Sequence, residues 1–264
     1  MKNLLTIAGS DCSGGAGLQA DLKTFAAHGV YGMSVVVSVV AENTSRVLSV
    51  CDMAPSVIRD QMDAVFEDIR VDGVKVGMLS GSEQMRAVAE KLRQYRPRGI
   101  VLDPVMVAKG GSALMHPDAL QTMKEEMLPL AEVLTPNLPE AEALTGKKIE
   151  TLEDRRRASV EIHRMGVKNV LIKGGHLSGE AEDLLYDGTE YYTFTHKRIE
   201  TKNTHGTGCT LSSAIAADLA LGMEVPEAVR AAKEYVTRAI EHALPIGKGH
   251  GPTNHFYFMK GVQQ

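Results

Sequence analysis

Short apolar runs alternate along the chain with longer stretches that have a helical pattern. The short runs are continuous and rich in β-branched residues, which is typical of strands buried on both faces. Their alternation with helices predicts a mostly parallel sheet. The predicted strands are residues 4–9, 34–41, 73–79, 99–105, 132–136 and 169–175. The predicted helices are residues 17–28, 55–68, 82–95, 117–128, 138–145, 152–165 and, towards the end, about 209–222 and 226–244.

One segment, 183–200, breaks this alternation. Its stretch "YDGTEYY" carries an Asp-Gly pair between strand-forming residues, which predicts a hairpin and an antiparallel edge. The chain has no internal repeat, low-complexity segment or Pro/Ser-rich linker. The simplest prediction is one doubly wound α/β domain over residues 1–264. Its helices would cover both faces of the sheet, and ligands would bind beyond the carboxyl ends of the strands.

Composition and charge argue against several classes of function. The net charge of −4 gives no electrostatic reason to expect a nucleic-acid partner. No apolar run approaches the roughly 18 residues that span a bilayer, so no membrane association is expected. The N-terminal run stops at Gly9, too short for a signal peptide. The three cysteines, Cys12, Cys51 and Cys209, lack zinc-binding spacing, so reduced thiols in the cytoplasm are expected.

Two glycine-rich stretches precede predicted helices. In "THGTGCT" (204–210), unpaired backbone N–H groups and the dipole of the next helix favour an anion. In "GSDCSGGAGLQAD", which follows the first strand, the glycines let the backbone approach a ligand closely. This second stretch is neither a Walker A loop nor a dinucleotide fingerprint, and a plain strand-to-helix turn is an equal alternative. Asp21, on the helix that follows, is either a solvated first-turn charge or a ligand contact.

Polar residues stand at the ends of the other predicted strands. Glu42 follows an apolar run and is either a surface residue or an acceptor for an amino-substituted ring. Asp103 in "LDPV" suits magnesium or a proton-accepting role. Asn137 and Glu140 in "TPNLPEAEAL" suit magnesium beside phosphates, although a helix N-cap with a capping-box glutamate is favoured locally. Lys173 in "LIKGGH" is either a phosphate-binding cation or a surface side chain.

Parallel strands would bring these residues to one edge of the sheet. That edge would hold an anion-binding helix start, a magnesium-compatible pair, a cation suited to phosphate and a carboxylate that recognises a ring. Phosphoryl transfer depends chiefly on positioning and charge neutralisation by such groups. The sequence therefore predicts a phosphotransferase.

Several motifs together resemble those of the hydroxymethylpyrimidine/phosphomethylpyrimidine kinases of thiamine biosynthesis, which belong to the ribokinase-like superfamily. The motifs are "GSDCSGGAGLQADLKTF", "VVAENT", "GMLSG", "LDPVMVAKGG", "LTPNLPEAEAL", "LIKGGH" and "TKNTHGTGCTLSSAIA". The resemblance runs in order from Leu4 to the tail "GKGHGPTNHF". It implies a ribokinase-like fold, a homodimer, and phosphorylation of 4-amino-5-hydroxymethyl-2-methylpyrimidine with ATP and Mg²⁺, first to the monophosphate and then to the diphosphate.

The same resemblance implies roles for individual residues. The pyrimidine pocket is assigned to Glu42, Gly9, Ala16 and Asp21, with Met78 and Val105 as apolar walls. The ATP phosphates are assigned to Lys173, Asn137, Glu140 and Thr207, and Mg²⁺ to Glu140 and Asp103. The catalytic anion-binding loop is assigned to Gly206, Thr207, Gly208 and Cys209, with Cys209 as the base. The chain departs from the family at Cys12, where proline is common and would stiffen the loop.

The position of Cys209 at a helix N-terminus predicts a lowered thiol pKa, because the dipole favours the thiolate. An alcohol acceptor benefits from a base, whereas a phosphate monoester is already mostly ionised at neutral pH. An aspartate in the place of Cys209 would carry a fixed negative charge and repel that monoester. A thiol that can become neutral is therefore expected to let one site serve both acceptors.

Two other functions stay open. Pyridoxal kinase activity occurs in the same lineage, and pyridoxal also carries a hydroxymethyl group on a ring. A non-catalytic nucleotide- or pyrimidine-binding regulator is disfavoured, because a sensor has no need of the base, the magnesium pair and the lysine. Release of ADP with each ring substrate distinguishes the three.

Overall fold

Strands and helices alternate along most of the chain in the computed structural model, which describes residues 1–108, 111–174 and 181–259. The strands are β1 (Asn3–Gly9), β2 (Tyr31–Glu42), β3 (Val47–Asp52), β4 (Gly73–Val76), β5 (Ile100–Leu102), β6 (Val133–Leu134), β7 (Asn169–Ile172), β8 (Ala181–Tyr186) and β9 (Tyr191–His196). The helices are α1 (Gly17–Ala27), α2 (Pro55–Phe66), α3 (Ser82–Tyr95), α4 (Ala119–Thr122), α5 (Leu138–Thr145), α6 (Leu152–His163), α7 (Thr207–Leu221) and α8 (Val225–Glu241). Gly175 of the last predicted parallel strand, and Lys109, Gly110 and His176 of the quoted motifs, lie outside the described residues.

The strands form one sheet in the order β3–β2–β1–β4–β5–β6–β7–β8–β9. The strands from β2 to β7 in that order run parallel, whereas β3, β8 and β9 pair antiparallel at the two edges. The predicted α/β class and the hairpin within 183–200 are confirmed. The strand β3 was not predicted, because its side chains are mostly exposed and form no buried run.

The predicted helices agree with the structure except at 117–128. Here α4 makes a single turn, followed by a π-helical turn over Met123–Met127 and a 3-10 turn over Leu128–Leu130. Pro129 lies in that last turn and has no backbone N–H with which to continue a regular helix. Among the described residues, no helix combines the length and apolar character needed to cross a bilayer.

Helices cover both faces of the sheet, as predicted. Side chains of α1, α7 and α8 pack on one face, and those of α2, α3, α5 and α6 pack on the other. Consecutive residues of β1 point to opposite faces. Leu4 therefore packs with α1, α7 and α8, and Leu5 packs with the helices of the other face. Because both leucines are fully buried, this strand contributes to two cores at once.

The helix α7 brings an N-terminus to the carboxyl edge of the sheet. Small, mostly buried residues dominate its sequence "TGCTLSSAIAADLAL", so it packs closely on the sheet. A Cβ added to Gly73 of β4 would lie 3.4 Å from the Cβ of Ala220. Gly206 precedes the helix with φ of 79°, a backbone conformation that favours glycine.

Candidate active site

The N-terminus of α7 meets Lys173 and Asp103. A Cβ added to Gly208 in the first turn would lie 3.4 Å from Asp103 Oδ2 and 3.5 Å from Lys173 Nζ. The partly unpaired N–H groups and the dipole of this helix start favour an anion. The fold therefore brings an anion-binding helix start, a lysine and a carboxylate together from three separate stretches of the chain.

Lys173 forms an ion pair with the buried Asp103, and its own side chain is largely covered rather than extended into solvent. Its Nζ lies 2.8 Å from Asp103 Oδ1, which also accepts a hydrogen bond of 3.0 Å from Thr135 Oγ1. Burial alone would lower the pKa of Lys173, but the carboxylates of Asp103 and Glu140 outweigh burial and raise it. The ammonium group is therefore charged at neutral pH and suited to phosphate oxygens.

Asn137 and Glu140 form the capping box of α5, which was the local alternative. Asn137 Oδ1 accepts the Glu140 N–H at 2.9 Å, and Glu140 Oε2 accepts the Asn137 N–H at 2.8 Å. Burial and the nearby Asp103 raise the pKa of Glu140 to about 7, although Lys173 opposes them. The cap therefore also places a carboxyl group in the electrostatic surroundings of Lys173 and Asp103.

The donor set around Asp103 fits a hard divalent cation. Carboxylate oxygens are ligands that Mg²⁺ prefers. Asp103 Oδ1 accepts its hydrogen bonds from Thr135 and Lys173, while Oδ2 faces the first turn of α7. Together with the carboxyl of Glu140, this oxygen suits a metal ion that accompanies phosphates.

The ends of β1 and β2 form a second part of this edge. A Cβ added to Gly9 would lie 3.1 Å from Met78 Sδ, so the missing side chain lets Met78 pack against the β1 backbone. Val105 is half-buried two residues after Asp103, and Ala16 is the half-buried N-cap of α1. Gly9, Ala16 and Met78 therefore belong to the edge where a pyrimidine pocket was predicted.

Glu42 ends β2 and is half-buried. Burial and the nearby Asp11 raise the pKa of its carboxyl to about 7, although His205 opposes them. Cys12 fixes the backbone here, because its Sγ donates to the Glu42 carbonyl at 3.0 Å and accepts the Glu42 N–H at 3.4 Å. Cys12 thus gives the loop a specific attachment to the end of β2.

Asp21 does not line a pocket, contrary to the prediction. Its side chain is fully buried, and its carboxylate accepts hydrogen bonds from Thr6 at 2.6 Å and Ser213 at 2.7 Å. It also pairs with Lys75, whose Nζ lies 2.8 Å from Oδ1 and 2.9 Å from Oδ2. These partners come from β1, β4 and α7 and enclose Asp21 beneath the edge. Lys75 was missed, although a lysine inside the apolar run "GVKVGML" was a signal that it had a buried partner.

The predicted lowering of the Cys209 pKa is wrong. Burial, with help from Asp21 and Asp103, raises the pKa of the thiol to about 11, against the opposing effects of Lys75 and a backbone N–H. Desolvation and two nearby carboxylates thus disfavour the thiolate. The Cys209 thiol is neutral at pH 7 and would not repel a phosphate monoester.

Sequence reasoning also missed Asp11 and His205. Asp11 Oδ2 lies 2.8 Å from His205 Nε2, and both side chains are buried. Burial raises the pKa of Asp11, but hydrogen bonds from His205, Ser13 and Ala16 lower it more, to about 2. The only sequence signal was their position within the two glycine-rich stretches.

The chain is similar to a bifunctional protein of thiamine biosynthesis and to proteins named as kinases. A family model described as phosphomethylpyrimidine kinase matches residues 11–254. The chain is 51% identical to the thiamine biosynthesis bifunctional protein ThiED of Geobacter sulfurreducens, over 99% of this chain and 54% of that protein. It is 46% identical to the hydroxymethylpyrimidine/phosphomethylpyrimidine kinase of Bacillus subtilis, over 97% of this chain and 95% of that protein.

Two solved structures share the fold along most of the chain. A Bacillus subtilis pyridoxal kinase, solved as an ADP complex, matches with a TM-score of 0.91 and 41% identity, over 98% of both chains. A phosphomethylpyrimidine kinase from Clostridium difficile matches with a TM-score of 0.82 and 47% identity, over 91% of this chain and 100% of that chain.

Proposed function

Because this chain belongs to the phosphomethylpyrimidine kinase family, we propose that it phosphorylates 4-amino-5-hydroxymethyl-2-methylpyrimidine and then its monophosphate, with ATP as donor. The observation that carries this proposal is the meeting of Lys173, Asp103 and the first turn of α7. They lie at the same sheet edge at which β2 ends in Glu42. Donor phosphates and a ring substrate would therefore bind side by side.

Glu42 would orient the pyrimidine ring by accepting a hydrogen bond from its amino group. The half-buried position of this carboxyl and its raised pKa support a role in a largely desolvated pocket. Gly9 and Ala16 would let the ring approach the backbone, and Met78 and Val105 would cover its apolar faces. Asp21 would not contact the ring. It would support the pocket from below the sheet edge through its ion pair with Lys75.

The phosphates of ATP would be held by Lys173 and by the N–H groups of Gly206, Thr207, Gly208 and Cys209. Asp103 and Glu140 would hold Mg²⁺, with Asn137 fixing Glu140 through the capping box. When bound, the ion supplies positive charge against the transferred phosphoryl group. Lys173 supplies charge at the same place through its own ammonium group.

In the first transfer, the substrate hydroxyl oxygen would bond to the terminal phosphorus while the bond from that phosphorus to the leaving ADP oxygen breaks. The hydroxyl proton would pass to Cys209 Sγ. The buried charge of Lys75 favours the thiolate that accepts this proton, although the neutral thiol predominates at pH 7. In the second transfer, the acceptor oxygen is already ionised and releases no proton.

A coupled assay of ADP release tests the function. The expected result is turnover with both the pyrimidine alcohol and its monophosphate. Pyridoxal is the second candidate acceptor, because the fold matches a pyridoxal kinase at 41% identity. Turnover with pyridoxal alone would replace the proposal, and ligand-induced stabilisation without ADP release would identify a non-catalytic regulator.

We also propose that the protein is a cytoplasmic homodimer. We propose further that its kinase activity requires Mg²⁺. The family resemblance supports the dimer, and the exposed β9 edge would suit pairing or packing with a second chain. Light scattering coupled to size-exclusion chromatography measures the dimer. Cell fractionation measures the location, and removal of Mg²⁺ with a chelator tests the metal requirement.

A further inference from the structure

The carboxylate of Asp11 joins two loops by accepting hydrogen bonds from both of them. Its Oδ1 accepts the Ser13 N–H at 2.7 Å. Its Oδ2 accepts the N–H groups of Gly15 at 3.0 Å and Ala16 at 2.7 Å, together with a bond of 2.8 Å from His205 Nε2. Each carboxylate oxygen offers about two lone-pair positions, so Oδ2, with three donors, is fully used. Because Asp11 is ionised and can only accept, the His205 ring donates from Nε2.

The two loops that Asp11 joins are also in direct backbone contact. A Cβ added to Gly206 would lie 1.7 Å from the Gly15 carbonyl oxygen, and a Cβ added to Gly15 would lie 2.4 Å from His205 Cδ2. The backbone N–H of His205 donates to the Gly251 carbonyl at 3.1 Å. His205 is therefore fixed on both sides, with no room for a side chain between the loops.

We propose that Asp11 and His205 are a positioning pair that fixes the pyrimidine loop, residues 10–16, to the anion-binding loop, residues 204–209. This inference rests on the proposed function, in which the first loop borders the acceptor and the second holds the transferred phosphoryl group. Neither Asp11 nor His205 contacts the reacting atoms in this scheme. Their hydrogen bond sets the distance between the two substrates, and a shift of about 1 Å in such a distance can cost about 10²-fold in rate.

The same side chains have the spacing of a cation site, because ligand atoms of Asp11, Glu42 and His205 lie within 4.8 Å of one another. The hydrogen bonds argue against that use. Asp11 Oδ2 already accepts three N–H groups, and a cation would have to displace His205 from it. A positioning role uses the observed contacts without disrupting them.

The test compares His205→Ala, His205→Gln and Asp11→Asn with wild type. A Gln side chain can donate from about the position of the imidazole Nε2, whereas Ala cannot. Asn offers only one acceptor oxygen. Its NH₂ group would face at least one of the four N–H donors and could not accept a hydrogen bond from it. His196→Ala is the matched control, because it removes a histidine ring that lies 3.9 Å from Glu234 of α8, outside the two loops.

His205→Ala and Asp11→Asn are expected to lower kcat for pyrimidine phosphorylation by about 10²-fold. The Kd for ATP and the KM for the pyrimidine should change less than about threefold, because each substrate keeps its own contacts. His205→Gln should recover most of kcat, and the double variant should lose no more than the single variants, since both remove one link. Circular dichroism at the assay temperature confirms that each variant is folded.

Two results would overturn the proposal. One is a kcat close to wild type in folded His205→Ala. The other is a loss that His205→Gln does not recover, or that disappears once activity is scaled to the folded fraction, since a purely structural role predicts this. Failure of the proposed function itself would look different, because wild type would then release no ADP with the pyrimidine substrates.

Discussion

Lys75 Nζ lies 2.8 Å from Asp21 Oδ1, and both side chains are fully buried between the sheet and helices α1 and α7. Burial alone would lower the pKa of Lys75, but the carboxylates of Asp21 and Asp103 raise it, so the pair is ionic. A buried ion pair is sensitive to loss of one partner, because the remaining charge has no water to solvate it. The pair thus supports the site from beneath.

Asp21→Ala is expected to lower the free energy of unfolding by about 3–5 kcal/mol, because it leaves Lys75 unpaired. The double variant Asp21→Asn with Lys75→Met should be clearly more stable than Asp21→Ala, since no uncompensated charge remains. Urea denaturation measures both. Normal stability of Asp21→Ala with only a raised pyrimidine KM would restore the role of Asp21 as a pocket residue.

Glu42→Ala should lose about 1–3 kcal/mol of transition-state stabilisation for both pyrimidine substrates, because the substrate amino group loses its acceptor. The KM for ATP should stay unchanged. Glu42→Gln, which keeps an acceptor oxygen, is the matched control and should retain most activity. Steady-state kinetics with each substrate decide this, and unchanged pyrimidine kinetics in Glu42→Ala would rule out the contact.

Glu42 should also make stability depend on pH. Its pKa is raised from 4.5 to about 7 by burial, so the folded protein binds this proton more tightly than the unfolded chain. The stabilisation is present below about pH 4.5 and is lost as the pH rises through about 7. The difference in unfolding free energy between wild type and Glu42→Gln, measured from pH 4.5 to 8, should therefore fall with pH. A difference independent of pH would contradict the shift.

Glu140→Gln separates the capping role from the metal role. Glutamine can also complete a capping box, so stability should stay close to wild type. The Mg²⁺ concentration for half-maximal rate should rise, because a carboxylate charge is lost. Asn137→Ser, which keeps a good N-cap residue, is the control for the helix start. An unchanged Mg²⁺ dependence in a folded Glu140→Gln variant would show that Glu140 does not hold the metal and serves only as part of the helix cap.

Cys209→Ser is expected to slow phosphorylation of the alcohol by about 10²–10⁴-fold, because a positioned base is lost. Phosphorylation of the monophosphate should slow much less, since that acceptor is already ionised. Cys209→Asp should keep some first-step activity and lose the second step through charge repulsion. Single-turnover rates for each step test this, and equal losses in both steps would contradict the charge argument.

The sequence by itself determined the class of fold and the identity of the site motifs. Continuous β-branched runs fit only strands buried on both faces, so the parallel sheet was predictable from local pattern. The hairpin after β7 was also predictable from local sequence, because an Asp-Gly pair is a short-range turn signal. By contrast, β3 has no such pattern, since it is an exposed edge.

Only the tertiary structure decided how charges are distributed around those motifs. Asp21 meets Lys75 across 54 residues, and Asp11 meets His205 across 194. No local spacing encodes such pairs. The pKa of Cys209 likewise depends on burial and on carboxylates from distant elements, Asp21 and Asp103. Local propensity acts over a few residues, whereas desolvation and Coulomb interaction act between whichever groups packing brings together.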